Sequence, residues 1–372
     1  MKMAKRLLLL LLFILVAFGV GCLHSEKKEV KKAIQNEMDQ LKTLNSETAQ
    51  KYIPSETLFP ETETESDSDA AKEIQEVFSL FYQNFNYKIL SIEVSRDRQS
   101  ATASLRLTTL DAGAFAKDFT AAKLKQEIIY AANDAETDTG DSSLSTADLY
   151  SIMKELLQTQ NYDTVEQNST ISLSHSSDDT WEIERTYAFE NDLVGGLMTK
   201  LADSDILPPE DTLSVYLETL KEMNVEEMSS FLGVESLLNS TDAQKNAIAS
   251  ALVEQVHQNF NYEFGETTQN GYQAEVSVTI TTFDSTAILA SYESELEEYL
   301  SSADAVIDGL SKRTEKSYAV LLNNIEANTA TTSSEIKLTL TNNGISWQLE
   351  DPDGALGNAI FGTLATVEET IE

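Results

Sequence analysis

The pentapeptide Gln83-Asn84-Phe85-Asn86-Tyr87 recurs unchanged as Gln258-Asn259-Phe260-Asn261-Tyr262, and it is one of a series. Leu41-Lys42-Thr43-Leu44-Asn45-Ser46-Glu47 returns as Leu220-Lys221-Glu222-Met223-Asn224-Val225-Glu226, and both run on to an aromatic-aliphatic pair, Tyr52-Ile53 and Phe231-Leu232. Thr108-Thr109-Leu110-Asp111 is answered by Thr281-Thr282-Phe283-Asp284, and Trp181 by Trp347, the only two tryptophans. The offset drifts from 179 to 166 and the order never breaks, so the first copy is longer by a few insertions. A repeat of well over a hundred residues is too long for a solenoid unit, so each copy has to bury its own apolar face. Two tandem domains of one kind follow, which suits a chain of 372 residues. The join is expected at 204–210, where Pro208 and Pro209 stop any helix and flanking acids keep the segment in water. That places the first domain at 27–203 and the second at 211–372.

Within a copy the periodicity alternates in kind. Ile74, Val77, Phe78, Phe81 and Phe85 follow helical spacing, as do Ala249, Leu252, Val253, Val256 and Phe260. Strict alternation comes next: Ala101, Ala103, Leu105 and Leu107 in the first copy, Ala274, Val276, Val278 and Ile280 in the second. Each is a half-buried strand, and Ile89 to Val94 is the hairpin partner of the first. Asp111 and Asp284 stand where an N-cap belongs, ahead of long helical patterns. A second helix, two strands ending in the tryptophan region and a short apolar helix close each copy. The expected fold class is α+β, with two tandem copies of a helix-covered, curved antiparallel sheet.

The first 22 residues carry a different signal. Lys2, Lys5 and Arg6 precede an unbroken apolar run from Leu7 to Phe18, and Gly19-Val20-Gly21-Cys22 follows. This is the pattern of a secretory signal over residues 1–21; an uncleaved anchor helix is the alternative. Gly19-Val20-Gly21-Cys22 resembles the lipobox of bacterial lipoproteins, although Gly19 departs from the commonest leucine there. The resemblance implies that the Cys22 thiol carries diacylglycerol, that the chain is cut just before it, and that residues 22–26 tether the protein to the outer face of the cell membrane. Loss of the three leader bases would take the net charge from −36 to −39. Lys27, Lys28, Lys31 and Lys32 then cluster next to the lipid, at a helix start where the dipole disfavours them; contact with lipid phosphates would relieve this, and the alternative is a merely solvated helix end with Glu26 and Glu29 as local partners.

Composition excludes several functions. With 62 acids against 26 bases the chain offers no basic face for nucleic acid. A single cysteine rules out an internal disulfide, a multi-cysteine zinc site and an iron–sulfur cluster. The three histidines, His24, His175 and His257, lie far apart. His175 is aligned with Leu340, on the apolar side of its strand, and reads as a satisfied core imidazole; His257 takes the place of Tyr82 and reads as a surface residue. Ser151-Ile152-Met153-Lys154 has the Ser-x-x-Lys spacing of penicillin-recognising enzymes but lacks the partner motifs. Asp134, Glu136 and Asp138 have the start of a calcium loop without its glycine or closing glutamate, and the run Glu61, Glu63, Glu65, Asp67, Asp69 reads as an extended connector.

The order of elements, together with the Leu-Lys-x-Leu/Met-Asn-x-Glu start, resembles the cystatin-like or nuclear-transport-factor-like cone domains found in tandem in uncharacterised surface lipoproteins of Gram-positive bacteria. The resemblance implies a non-enzymatic binding or scaffold protein of the cell envelope, with no cofactor or metal and an unknown protein or small-molecule ligand. Its alternative is an isomerase-like enzyme, since cones of this kind include isomerases that use a buried acid and a tyrosine. Apart from His175, the inward strand positions are Ala, Val, Leu, Ile and Trp, which favours binding over catalysis.

Overall fold

The structure, a computed structural model, describes residues 25–44, 51–52, 58–59, 68–134, 144–178, 180–239 and 241–365. Two four-stranded antiparallel sheets, each packed against helices, make two tandem α+β repeats. The first repeat opens with α1, residues 25–42, whose Val30, Ile34, Met38 and Leu41 form one fully buried stripe. Burial of each such side chain is worth about 1.5–3 kcal/mol, which suffices to hold an otherwise polar helix in place. Next come α2 (Ser68–Phe81), β1 (Asn86–Val94), β2 (Ser100–Leu110), α3 (Ala112–Asp134), α4 (Thr146–Thr159), β3 (Thr164–His175) and β4 (Trp181–Ile183), then the short helices α5 (Tyr187–Leu193) and α6 (Leu197–Leu201). The sheet order is β1-β2-β3-β4.

The second repeat runs α7 (Pro209–Leu220), α8 (Val225–Leu232), α9 (Glu235–Leu238), α10 (Ala243–Asn259), β5 (Asn261–Asn270) and β6 (Gln273–Phe283). It continues with α11 (Ser285–Leu300), α12 (Ala303–Ile307), α13 (Leu310–Ala327), β7 (Thr331–Asn342), β8 (Trp347–Glu350) and α14 (Ala355–Phe361). Its sheet order, β5-β6-β7-β8, is the same. The predicted alternation holds on both central strands: Ala101, Ala103, Leu105 and Leu107 are buried in β2, and Ala274, Val276, Val278 and Ile280 in β6. The predicted N-caps form as well. Asp111 Oδ1 accepts from the backbone N–H groups of Gly113 and Ala114, and Asp284 Oδ1 from that of Ala287.

Strand pairing corrects one alignment. His175 pairs with Trp181 across β3 and β4, whereas Trp347 pairs with Asn342 and Leu340 with Leu349. The counterpart of His175 is therefore Asn342, not Leu340, and Leu340 answers Leu173, which pairs with Ile183. A copy-to-copy match read from sequence slips where loop lengths differ, and ladder register does not.

The prolines at the join also act differently from expectation. Pro208 caps α7 and Pro209 is its first residue, where a missing N–H costs nothing, so they start a helix. Asp205, just before them, accepts the indole N–H of buried Trp347 at 2.8 Å, and the Ser204 carbonyl accepts from Asn342 Nδ2 at 3.2 Å. A stretch that reads as solvated linker is stitched into the second core.

A glycine under steric pressure follows a short apolar helix near the end of each repeat. Gly195 has φ +66°, and a Cβ there would come within 2.8 Å of the Leu110 carbonyl oxygen and Thr109 Oγ1. Gly362, with φ +54°, is pressed in the same way against Ser285 Oγ. Only glycine meets both demands, so Gly195 sets how closely the turn after α5 approaches the end of β2, and Gly362 how closely the turn after α14 approaches the start of α11.

By contact density the described chain divides into two compact units, one reaching to Phe119 and including Leu144–Ala202, the other combining Thr120–Ser143 with the chain from Asp203 onward. The division runs through α3. Ile128 on its second half is buried in the same cluster as Leu213, Leu217, Val276 and Ile360, with Leu124 packed against it. A fragment beginning at residue 205 would lack this side chain. Ile128→Ala should lower the stability of the second unit by about 2–4 kcal/mol. The check is urea denaturation followed by Trp347 fluorescence in a Trp181→Phe background; an unchanged midpoint would show that α3 contributes nothing to that core.

Candidate functional site

The repeated sequence motifs meet in space, and they do so for a structural reason. In the second repeat Leu220-Lys221-Glu222-Met223-Asn224 ends α7, and Asn224 caps α8 in a capping box: its Oδ1 accepts from Glu226 and Glu227 N–H, while Glu227 Oε2 accepts from Asn224 N–H. Gln258–Tyr262 ends α10 and begins β5. Tyr262 reaches back to α7, its hydroxyl 2.8 Å from Ser214 Oγ and hydrogen-bonded to Glu218. Lys221 Nζ bonds Glu218 Oε1 at 2.9 Å and lies 5.2 Å from the centre of the Tyr262 ring.

The first repeat builds the same clamp with different atoms. Tyr87 donates to Asp39 Oδ1 at 2.7 Å, and Lys42 Nζ donates to Asn86 Oδ1 at 2.9 Å. Asp39 and Glu218 each stand three residues before the motif lysine, a spacing visible in the sequence but not singled out from it. Burial, then the hydrogen bond to Asp39, pushes the Tyr87 phenol far above its usual range, so it acts only as a neutral donor. The motifs therefore fasten the leading helix of each repeat to its first strand. They are architecture, and a ligand site has to be sought where the copies differ.

One difference lies around Tyr52, the counterpart of Phe231. Phe231 stacks on Tyr216, with ring centres 6.1 Å apart. Tyr52 instead donates to Glu37 Oε2 at 3.3 Å, beside Lys51, which bonds Glu37 Oε1 at 3.1 Å. Its ring meets Phe189 edge-on at 5.6 Å. Glu190, next to Phe189, is buried and accepts from Arg185 Nε at 2.7 Å, while the Arg185 side chain as a whole is 44% exposed. Burial and the Glu37 charge raise the Tyr52 phenol, and both Arg185 and Glu190 act on it electrostatically. The result is a half-buried cluster of two carboxylates, two cations and a neutral phenol, confined to the first repeat. Its partly exposed guanidinium, Arg185, is a group able to bond an anion or a carbonyl oxygen.

The residues singled out from sequence fall as follows. Cys22 and His24 lie outside the described residues, as do Glu136, Asp138 and the acids from Glu61 to Asp67. Lys27, Lys28, Lys31 and Lys32 are all exposed on α1, away from its buried stripe. His175 shares a face with Ile171 and Leu173, is half-buried and packs edge-on against Trp181 at 5.0 Å. His257 is at the surface as expected, 2.9 Å from the Met223 carbonyl oxygen. Lys154 bonds Glu76 at 2.7 Å and lies 3.6 Å from Glu73; the hydrogen bond to Glu76 raises its pKa, so it stays protonated and cannot deprotonate Ser151. Among the described residues no group of His, Cys, Asp and Glu is arranged to hold a metal ion.

The inward strand positions are more polar than the sequence alignment implied. Thr109, Ser169, Thr282 and Asn342 are buried alongside the aliphatic residues. Ser169 Oγ donates to Asp192 Oδ2 at 2.6 Å, and Gln167 bonds the Asp192 carbonyl, so a carboxylate reaches this face from α5 rather than from a strand. Arg185→Ala should cost about 1–3 kcal/mol by leaving the Glu190 carboxylate buried without its cation. Removing Glu190 as well, with Glu190→Gln in the same chain, should recover part of that loss in thermal unfolding; full additivity of the two changes would show that they do not interact.

Residues 207–359 match a family described as a domain of unknown function (DUF5105). No curated protein matches the chain. Among solved structures, the crystal structure of a "putative lipoprotein (ycdA)" from Bacillus subtilis is similar over 74% of this chain and 96% of that one, at 13% identity and a TM-score of 0.33.

Proposed function

We propose that the chain is a lipid-anchored, extracytoplasmic protein of the cell envelope that binds or scaffolds a partner and performs no catalysis. The observation that carries this reading is Cys22, the one cysteine, placed behind a basic start, an apolar run and two glycines flanking a valine. Among the described residues no helix is long and apolar enough to cross a membrane, so attachment rests on that segment. The repeats resemble cone domains in element order, and a duplicated scaffold with one divergent polar cluster suits recognition of a ligand by the first repeat.

The isomerase-like alternative needs an acid and a tyrosine free to face a substrate. The chain does pair tyrosines with acids, Tyr52 with Glu37 and Tyr87 with Asp39, and in each the phenol is hydrogen-bonded to the carboxylate. Burial and the neighbouring carboxylates raise both phenols, which keeps them neutral and supports the binding reading.

Two tests follow. Cys22→Ala should leave an unprocessed precursor that takes up no labelled fatty acid, and normal processing and labelling of that variant would end the lipoprotein reading. The exposed Lys27, Lys28, Lys31 and Lys32 should add about 1 kcal/mol each at an anionic surface. Replacing all four with Gln in the lipid-free chain should therefore weaken sedimentation with phosphatidylglycerol vesicles at low salt by at least about tenfold. Unchanged sedimentation, or none in either form, would mean that the lysines are merely solvated.

A further inference from the structure

The second repeat ends its α11–α13 hairpin in an exposed aliphatic tip. Leu300, Val306, Ile307 and Leu310 are 51%, 79%, 80% and 83% exposed, four large apolar side chains within eleven residues. Soluble surfaces tolerate such residues singly; a cluster at one tip marks a contact. Residues 310–316, the first two turns of α13, are all exposed, with the Glu315 carbonyl accepting from Gln244 Nε2 of α10 at 3.4 Å.

Charge around the tip says what would cover it. From residue 203 onward the chain has six Lys and Arg against thirty Asp and Glu, and three of the six, Lys312, Arg313 and Lys316, stand in the first two turns of α13. The opposite arm is acidic: Glu293, Glu297 and Glu298 are exposed on the second half of α11, with Glu293, Glu297 and Leu300 in one stripe. Both arms carry the wrong sign for their own helix. No acid lies in the first turn of α13 and no base in the last turn of α11, where the dipole would favour them. Among the described residues no ion pair joins the two arms; Lys312 turns instead to Asp308, at 3.7 Å.

We infer that the tip is a self-association surface whose occupant is the same hairpin of a second copy. In a two-fold contact the acidic end of α11 meets the basic end of the partner copy's α13, and the same exchange occurs on the other side of the axis. Each charge then lies at the helix end that favours it, and the aliphatic tip is enclosed within a polar rim, the usual anatomy of such contacts. The large negative charge of the rest of each copy is screened beyond about 8 Å at physiological salt and does not forbid the approach. An anionic bilayer fits less well, because it would attract α13 and repel α11. The contact is small, so it is a weak dimer in solution, strengthened where tethering to one surface concentrates the copies.

The test is a charge swap, read by sedimentation equilibrium of the chain from Leu23 to Glu372 over micromolar to millimolar concentrations. Wild type should show a monomer–dimer equilibrium. One variant, Lys312→Glu with Arg313→Glu and Lys316→Glu, and a second, Glu293→Lys with Glu297→Lys and Glu298→Lys, should each dimerise at least about tenfold more weakly. An equimolar mixture should form heterodimers at least as tightly as wild type. All the substituted side chains are exposed, and unchanged thermal unfolding confirms that both variants fold. A monomeric wild type, dimerisation that survives in both variants, or a mixture that stays monomeric would overturn the inference. So would a hairpin that binds phosphatidylglycerol vesicles while the chain remains monomeric, which would assign the tip to the membrane.

Discussion

Each repeat is organised by the burial of one face of its central strand. Ala101 to Leu107 in β2 and Ala274 to Ile280 in β6 are hydrogen-bonded on both sides and covered by helices on one face. A strand in that position can shift register only by turning its whole apolar set to water, so both neighbours are locked to it. Each row is graded in size, with Ala101 and Ala103 or Ala274 at one end and larger aliphatic side chains at the other. A buried tryptophan on the last strand completes the enclosure in both copies.

Polar groups decide how that enclosure is closed. The leading helix of each repeat is fastened by a tyrosine that reaches an acid on it, Tyr87 to Asp39 and Tyr262 to Glu218. The acid differs in length and the lysine differs in partner, yet the helix is held at the same strand. Where a repeat has no need of a polar bond it keeps aromatic packing, as at Phe231 and Tyr216. The Tyr52–Glu37 and Arg185–Glu190 bonds of the first repeat are thus an addition to the scaffold rather than part of it, and they carry the proposal of ligand recognition there.

Much of the fold was legible because duplication doubles every weak signal. One alternating strand beside one helical pattern is ambiguous; the same succession twice, with the same pentapeptide at the helix-to-strand join, is not. The N-caps Asp111 and Asp284 were readable for the same reason, and so was the surface position of His257. The alignment of His175 failed because it was carried by residue count across β3–β4 and β7–β8, whose turns differ. Pro208 and Pro209 misled because a proline that ends one helix is equally suited to begin the next. The polar contacts missed most often, Asp205 with Trp347 and Asp192 with Ser169, join residues whose partners lie on other elements.

Sequence alone was enough for the fold class, α+β in two tandem repeats, together with the alternating inner faces, the caps and the single cysteine behind an apolar run. These are local or periodic properties, dictated by helix and strand geometry and by which side chains avoid water. Tertiary structure alone decided that the second half of α3 belongs to the second core, that Asp205 is drawn in beneath Trp347, and that the α11–α13 tip stays in solvent with its charges unexchanged. Each depends on which distant surfaces meet, and a hydrophobic stripe states that it must be covered without stating by what.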